Sequence, residues 1–177
     1  LSVTGLVLDA DIKANAGAKA GDVVILTKPL GTGVVVSGLR SGRVELSQAQ
    51  PVLERMAELN KTACEIMLAV GGAHGVTDIT GFGLGGHSWE VADGSKVGVR
   101  FFYERVPRWS IGEELIALGV RTGVTASNGK SLEGHIRFDD RLTELQRVLF
   151  FDPQTSGGLL MTVDPAKADE MLKRLHD

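Results

Sequence analysis

Cysteine is nearly missing from this chain of 177 residues: the one thiol, Cys64, excludes an internal disulfide framework and any zinc site built from several cysteines. Long apolar runs are missing too, and none approaches the roughly 18 residues that a membrane-spanning helix needs. The opening residues, Leu1-Ser2-Val3-Thr4-Gly5-Leu6-Val7, lack the basic stretch followed by an apolar one that marks a secretory signal. There is no basic excess: 19 Lys and Arg against 22 Asp and Glu leave a net charge of −3, which argues against general binding to a polyanion such as nucleic acid. Aromatic residues are few, at 5%, and scattered. With 43% apolar and 23% charged residues, the composition is nonetheless that of a chain able to bury a core. What is abundant is glycine, 23 residues, close to twice the usual share of about 7%.

Residues 3–8, 22–28, 97–103 and 159–163 read as strands, bounded by polar or glycine punctuation, with 135–138 as a further candidate. Val34-Val35-Val36 is too short for periodicity to decide between strand and helix. The longest helical pattern covers 47–70, where Leu53, Met56, Ala57, Asn60, Ala63, Cys64 and Met67 recur at three- and four-residue spacing. Pro51 suits its first turn, Asn60 marks a break, and Gly71-Gly72 ends it. Shorter helices are predicted over 87–92, 111–118, 142–151 and 166–175. Ser110 and Glu113 read as a capping box, and Asp164-Pro165 opens the last helix. Residues 11–21 and 119–134 read as loops. The loose alternation predicts an α/β or α+β layered domain. The chain does not begin with Met and is read as a fragment of something longer.

The most informative stretch is His74-Gly75-Val76-Thr77-Asp78-Ile79-Thr80-Gly81-Phe82-Gly83-Leu84-Gly85-Gly86-His87. Its glycines allow tight turning or close approach of backbone to a ligand. Gly81-x-Gly83-x-x-Gly86 formally matches the dinucleotide fingerprint, with Glu104 downstream. Against it, 75–80 carries an acid and two threonines where a buried parallel strand would be continuously apolar, and the following helix is short. Asp78 stands out as a ligand for a hard cation shared with a phosphate, since Mg²⁺ is commonly held by one or two carboxylates plus substrate phosphates. It can equally cap a helix or satisfy loop amides. The spacing of His74, Asp78 and His87 fits no common zinc pattern.

A second polar-glycine block is Asp152-Pro153-Gln154-Thr155-Ser156-Gly157-Gly158-Leu159-Leu160. Thr155, Ser156 and the glycine amides suit phosphate contact, and suit a tight turn equally well. Gln154 stands where a nucleophile elbow has its first glycine, so Ser156 is not one. Thr27-Lys28-Pro29-Leu30-Gly31-Thr32-Gly33 follows a strand and lacks the Gly-Lys-Ser/Thr ending of a Walker A loop.

With Leu59-Asn60-Lys61, these blocks resemble, in the same order, the selenophosphate synthetase (selenide, water dikinase) family. The Asp-x-Thr-Gly-Phe-Gly part is shared with aminoimidazole ribonucleotide synthetase-like proteins more widely. The resemblance covers the C-terminal half of that family. It implies a mixed sheet covered by helices over residues 1–177, as one C-terminal domain, while an N-terminal half carries the reactive cysteine or selenocysteine, most metal carboxylates and the ATP-binding sheet. It implies transfer from ATP to selenide with Mg²⁺, giving selenophosphate, AMP and phosphate, in a cytoplasmic homodimer without nucleic-acid or membrane partners. It identifies Asp78 as a metal ligand and makes Thr77, Thr80, Gly81, Thr155 and Ser156 candidates for contact with phosphate or substrate. This half by itself is expected to be inactive. Gly85 departs from the family, which more often has a larger apolar residue there. Two other readings stand beside it: another ATP-dependent enzyme of the same superfamily, and a non-catalytic binding or dimerisation module.

Overall fold

The computed structural model describes residues 4–177. Its sheet has β1 (Val23–Leu26), β2 (Ala73–Asp78) and β3 (Leu159–Val163) in the order β1-β3-β2. The central strand β3 is buried from Leu160 to Val163, which is why it is almost wholly apolar. Both neighbours pair with it antiparallel, so the sheet itself is antiparallel where a mixed one was expected. A parallel contact occurs at the bridge between Leu30 and Arg108.

The strand period of two gives the sheet two apolar faces. On one, Ile25, Ala73, Met161 and Val163 pack with Met67 and Val70 of α3 (Lys61–Val70) and Met171 of α8 (Pro165–His176). On the other, Leu160 joins the larger core. That core draws on α1 (Thr32–Arg40), α2 (Leu46–Ala57), α4 (Gly83–Ser95), α5 (Ser110–Ala117) and α7 (Glu144–Phe151) through Val34, Val52, Leu84, Ile116 and Leu149. A short α6 (Thr125–Ser131) packs on α7. The expected layered α/β arrangement is the one observed.

Several elements differ from the sequence reading. Residues 75–78, read as part of a glycine loop, belong to β2, because an antiparallel edge tolerates threonine and aspartate that a parallel interior would not. A bulge between Ala73 and Gly75 turns His74 aside to Asp22, with Nδ1 2.9 Å from Oδ1. The outer edge of β2 is covered by the segment before β1: the Val76 amide donates to Ala14 O, and Gly17 lies so near His74 O that a Cβ would sit 2.3 Å from it.

Residues 4–8 form no strand, and Leu6 and Leu8 are exposed; Val3 lies outside the described residues. The 97–103 segment keeps its alternation, with Val97, Val99 and Phe101 half-buried, yet joins no sheet; 135–138 is likewise irregular. The break at Asn60 divides α2 from α3 as read, but α2 starts at Leu46, which leaves Pro51 inside it. Ser110 begins α5 without capping it, and Glu113 instead meets Arg108. The 119–134 stretch holds α6.

Met161 is fully buried in the middle of the central strand. Met161→Ala is expected to destabilise the fold by about 2–5 kcal/mol, read from urea unfolding.

Candidate functional site

The ends of β1 and β2 and the start of β3 lie at one edge of the sheet, because β3 runs against both. The three glycine-rich blocks therefore meet. Gln154, 4% exposed, joins them. Its Oε1 accepts from the amides of Gly31 and Thr32 at 2.9 and 3.1 Å and from the Thr32 hydroxyl at 3.1 Å. Its Nε2 donates to Asp152 O at 2.8 Å, and its backbone amide donates to Thr80 O at 2.9 Å. Thr32 Oγ1 in turn accepts from the Thr155 amide at 2.9 Å.

A second knot lies beside the first. Lys28 is buried, and its Nζ donates to Glu58 O and to Ser156 O, while Asn60 Nδ2 donates to Gly157 O. Burial, with the nearby Arg55 guanidinium, lowers the Lys28 ammonium below the usual lysine range. Gly157 and Gly158 are needed for closeness. A Cβ on Gly157 would lie 1.9 Å from Ile79 O, and one on Gly158 would lie 2.4 Å from the Lys28 amide nitrogen.

Asp152 is buried at the start of α1, where Oδ2 accepts from the Val34 amide at 3.1 Å and from Gln154 Nε2 at 3.2 Å. Burial pushes its carboxyl up to about 7, against these hydrogen bonds, which favour the charged form.

The candidate residues distribute around this frame. Asp78 ends β2 opposite Leu159 and is exposed. Among the described residues its carboxylate has no hydrogen-bond or ion-pair partner, so it does not serve as the cap that was its alternative reading. Thr77 is half-buried, and its hydroxyl donates to Asp78 O at 3.3 Å. Gly81 is exposed at the turn, with its carbonyl held by Asn128 Nδ2 at 2.9 Å. Thr80 is half-buried, with Oγ1 3.2 Å from His87 Nε2. Thr155 and Ser156 are exposed at the tip of the second block, and Ser156 takes a left-handed φ of 49°.

Thr80, Gln154 and Thr155 thus share one network with Thr32, and Asp78 ends β2 two residues before Thr80. His74 is not among them. It sits at the bulge with Asp22, and no group of three or more His, Cys, Asp or Glu side chains suited to a metal occurs among the described residues. The described residues offer no closed metal cage. A single free carboxylate on a strand end fits Mg²⁺, whose remaining ligands are commonly water and phosphate.

The dinucleotide fingerprint has its strand and helix, but in an antiparallel sheet; among the described residues there is no βαβ crossover to frame a pyrophosphate. Two of its three glycines serve contact instead: Gly83 adopts φ 67° against Asp152 O and Phe150 O, and a Cβ on Gly86 would lie 2.4 Å from Phe82 Cβ. Gly85 leaves room for Leu132 and Ile136, whose side chains fill the space a larger residue would take.

Sequence reasoning missed Gln154 and Asp152 as linchpins, the buried state of Lys28, and the placing of His87 against Thr80. An amide side chain between Asp-Pro and Thr-Ser-Gly-Gly was the available signal for the first. Starting α4 at Gly83, so that His87 and Glu90 share a face, was the signal for the last.

A small sheet with helices on both faces, and loops gathered at one end, defines a layered α/β domain whose candidate site is open on one side. The chain belongs to the family described as AIR synthase related protein, C-terminal domain, whose profile matches residues 19–177. Over 100% of its length it is 38% identical to the selenide, water dikinase of Burkholderia pseudomallei, covering 50% of that protein. It is 41% identical to the selenide, water dikinase of Caldanaerobacter subterraneus, over 99% of this chain and 51% of that protein. The chain spans about half the length of the curated relatives it matches, the C-terminal half. Hydrogenase maturation protein HypE, solved alone and in complex with ATP, has a similar fold: TM-score 0.63 and 19% identity over 97% of this chain, and 44% and 42% of those chains. No helix among the described residues is long and apolar enough to cross a membrane.

Asp152 generates a prediction for stability. Its folded value of about 7 lies above the unfolded carboxylate value of about 4. The folded state therefore holds the extra proton between these limits, and stability is lost as pH rises through that window. Asp152→Asn is expected to remove this slope. Urea unfolding at pH 5 and pH 7.5 should show wild type losing about 2.5 kcal/mol, and the variant little.

Proposed function

We propose that the chain forms the C-terminal half of an ATP-dependent selenide, water dikinase, which converts ATP, selenide and water to selenophosphate, AMP and phosphate. The observation that carries this reading is the Asp78 carboxylate: exposed, without a partner among the described residues, and fixed at the end of a paired strand beside an exposed glycine turn. The identity to selenide, water dikinases over the whole chain supports the substrate class, and the fold shared with an ATP-bound HypE supports ATP.

In this reading Asp78 is a ligand, direct or through water, of Mg²⁺ on the nucleotide. The bound ion supplies charge neutralisation for the polyphosphate. The residues of this chain hold the two loops in place. Gln154 fixes the distance between the Thr80 turn and the Thr155–Ser156 tip, and Lys28 and Asn60 pin that tip from behind. Thr77, Thr80, Gly81, Thr155 and Ser156 then border the phosphates, which are bound chiefly by the N-terminal half. That half is the first partner of this domain, in a cytoplasmic homodimer, and this chain by itself has no turnover. Since HypE shares the fold, an ATP-dependent enzyme with another acceptor is the second reading, separated by assaying selenide against other acceptors.

In the full-length protein, Asp78→Asn is expected to lower Mg²⁺-dependent formation of AMP from ATP by at least about 10-fold, with normal unfolding behaviour. Unchanged ATP consumption would remove Asp78 from the metal site.

A further inference from the structure

His87 is buried on α4, 7% exposed. Its ring lies beside Phe82, with centroids 5.5 Å apart. Nδ1 is 3.1 Å from Glu90 Oε2, and Nε2 is 3.2 Å from Thr80 Oγ1. A carboxylate only accepts, so the Nδ1 that faces it carries the hydrogen. When the ring is neutral it presents a lone pair at Nε2, and the Thr80 hydroxyl is then the donor that meets it. That hydroxyl has one hydrogen. Once it is committed to His87, Thr80 Oγ1 can offer its surroundings lone pairs alone.

Thr80 is also placed to use them. The Ile79 amide donates to Gly158 O, so strand pairing continues one residue beyond β2, and Ile79 is fully buried. In extended backbone the neighbours of a buried residue turn to the opposite side. Asp78 and Thr80 therefore share a face.

We infer that Glu90 and His87 are positioning residues that lock the Thr80 hydroxyl as an oxygen ligand, direct or through water, beside the Asp78 carboxylate for a hard divalent cation. The inference rests on the reading of Asp78 as a metal carboxylate. With the opposite tautomer, Nε2–H would donate to Thr80, and the freed hydroxyl hydrogen would point at a positive ion. Glu90 thus sets the sign of the group that Thr80 shows.

Two measurements on the full-length protein test this. Long-range ¹H–¹⁵N spectra of His87 should show hydrogen on Nδ1 in wild type, with a shift toward the Nε2–H form in Glu90→Gln. Mn²⁺ affinity in the presence of a non-hydrolysable ATP analogue, followed by electron paramagnetic resonance, should weaken by about 10-fold in Glu90→Gln and in Thr80→Val. Thr80→Ser should retain wild-type affinity. The Glu90→Gln, Thr80→Val double variant should be no weaker than Thr80→Val, because both changes remove one contact. A wild-type His87 ring with hydrogen on Nε2, unchanged Mn²⁺ affinity in Thr80→Val, or additive losses would overturn the inference. Asp78→Asn separates the two levels. If it leaves Mn²⁺ affinity intact, the metal reading itself fails; if it weakens binding while Thr80→Val does not, the positioning role alone fails.

Discussion

A single buried carboxamide holds the working end of this domain together. The Gln154 side chain satisfies two backbone amides and a hydroxyl at the entry to α1 with one oxygen, while its nitrogen closes the turn that carries it. Its own backbone reaches the Thr80 turn. Neither aspartate nor glutamate can stand in, since the site needs an acceptor on one side and a donor on the other. Buried polar groups in such a network stabilise only when all are paired, so the three loops are ordered together or not at all.

This explains why blocks that look like ligand loops are so rich in residues that never reach a ligand surface. Lys28, Asn60, Gly157 and Gly158 are internal parts: a cation spent on two carbonyls, an amide spent on a third, and two positions where a methyl group would strike backbone. In the three glycine-rich blocks the residues left facing outward are few, namely Asp78, Gly81, Phe82, Thr155 and Ser156. A site of this kind is unfinished by design of its chemistry. Under the proposed reading, one carboxylate and a handful of hydroxyls are too few to enclose a polyphosphate, and the chain spans about half of its relatives' length.

Legibility followed the range of the interaction. Where local pattern decides, as in α8 after Asp164-Pro165, in β3, and in the break at Asn60, residue types were enough. Where a partner distant in sequence decides, they were not. Gly75 to Asp78 became a strand because β3 and the segment around Ala14 supply its hydrogen bonds, and 97–103 stayed irregular though its alternation is strand-like. Asp78 was legible as an acid among small residues. The Gln154 network was not, since it joins positions more than a hundred residues apart. Nor was the contact between His87 and Thr80, which depends on a helix begun by glycines rather than by a capping side chain.

Those glycines have a consequence for motion. Helix α4 contains Gly83, Gly85, Gly86 and Gly94 in thirteen residues, and those past its first residue are each intrinsically about 1 kcal/mol poorer than alanine in a helix. Left to itself such a segment would be coil, and it is helical because its first turns are pressed against α7. Its amides should therefore exchange with solvent as one cooperative block whenever that contact loosens. The turn bearing Asp78 and Thr80 feeds directly into this block, so the order of the site is borrowed from a packing surface on its far side.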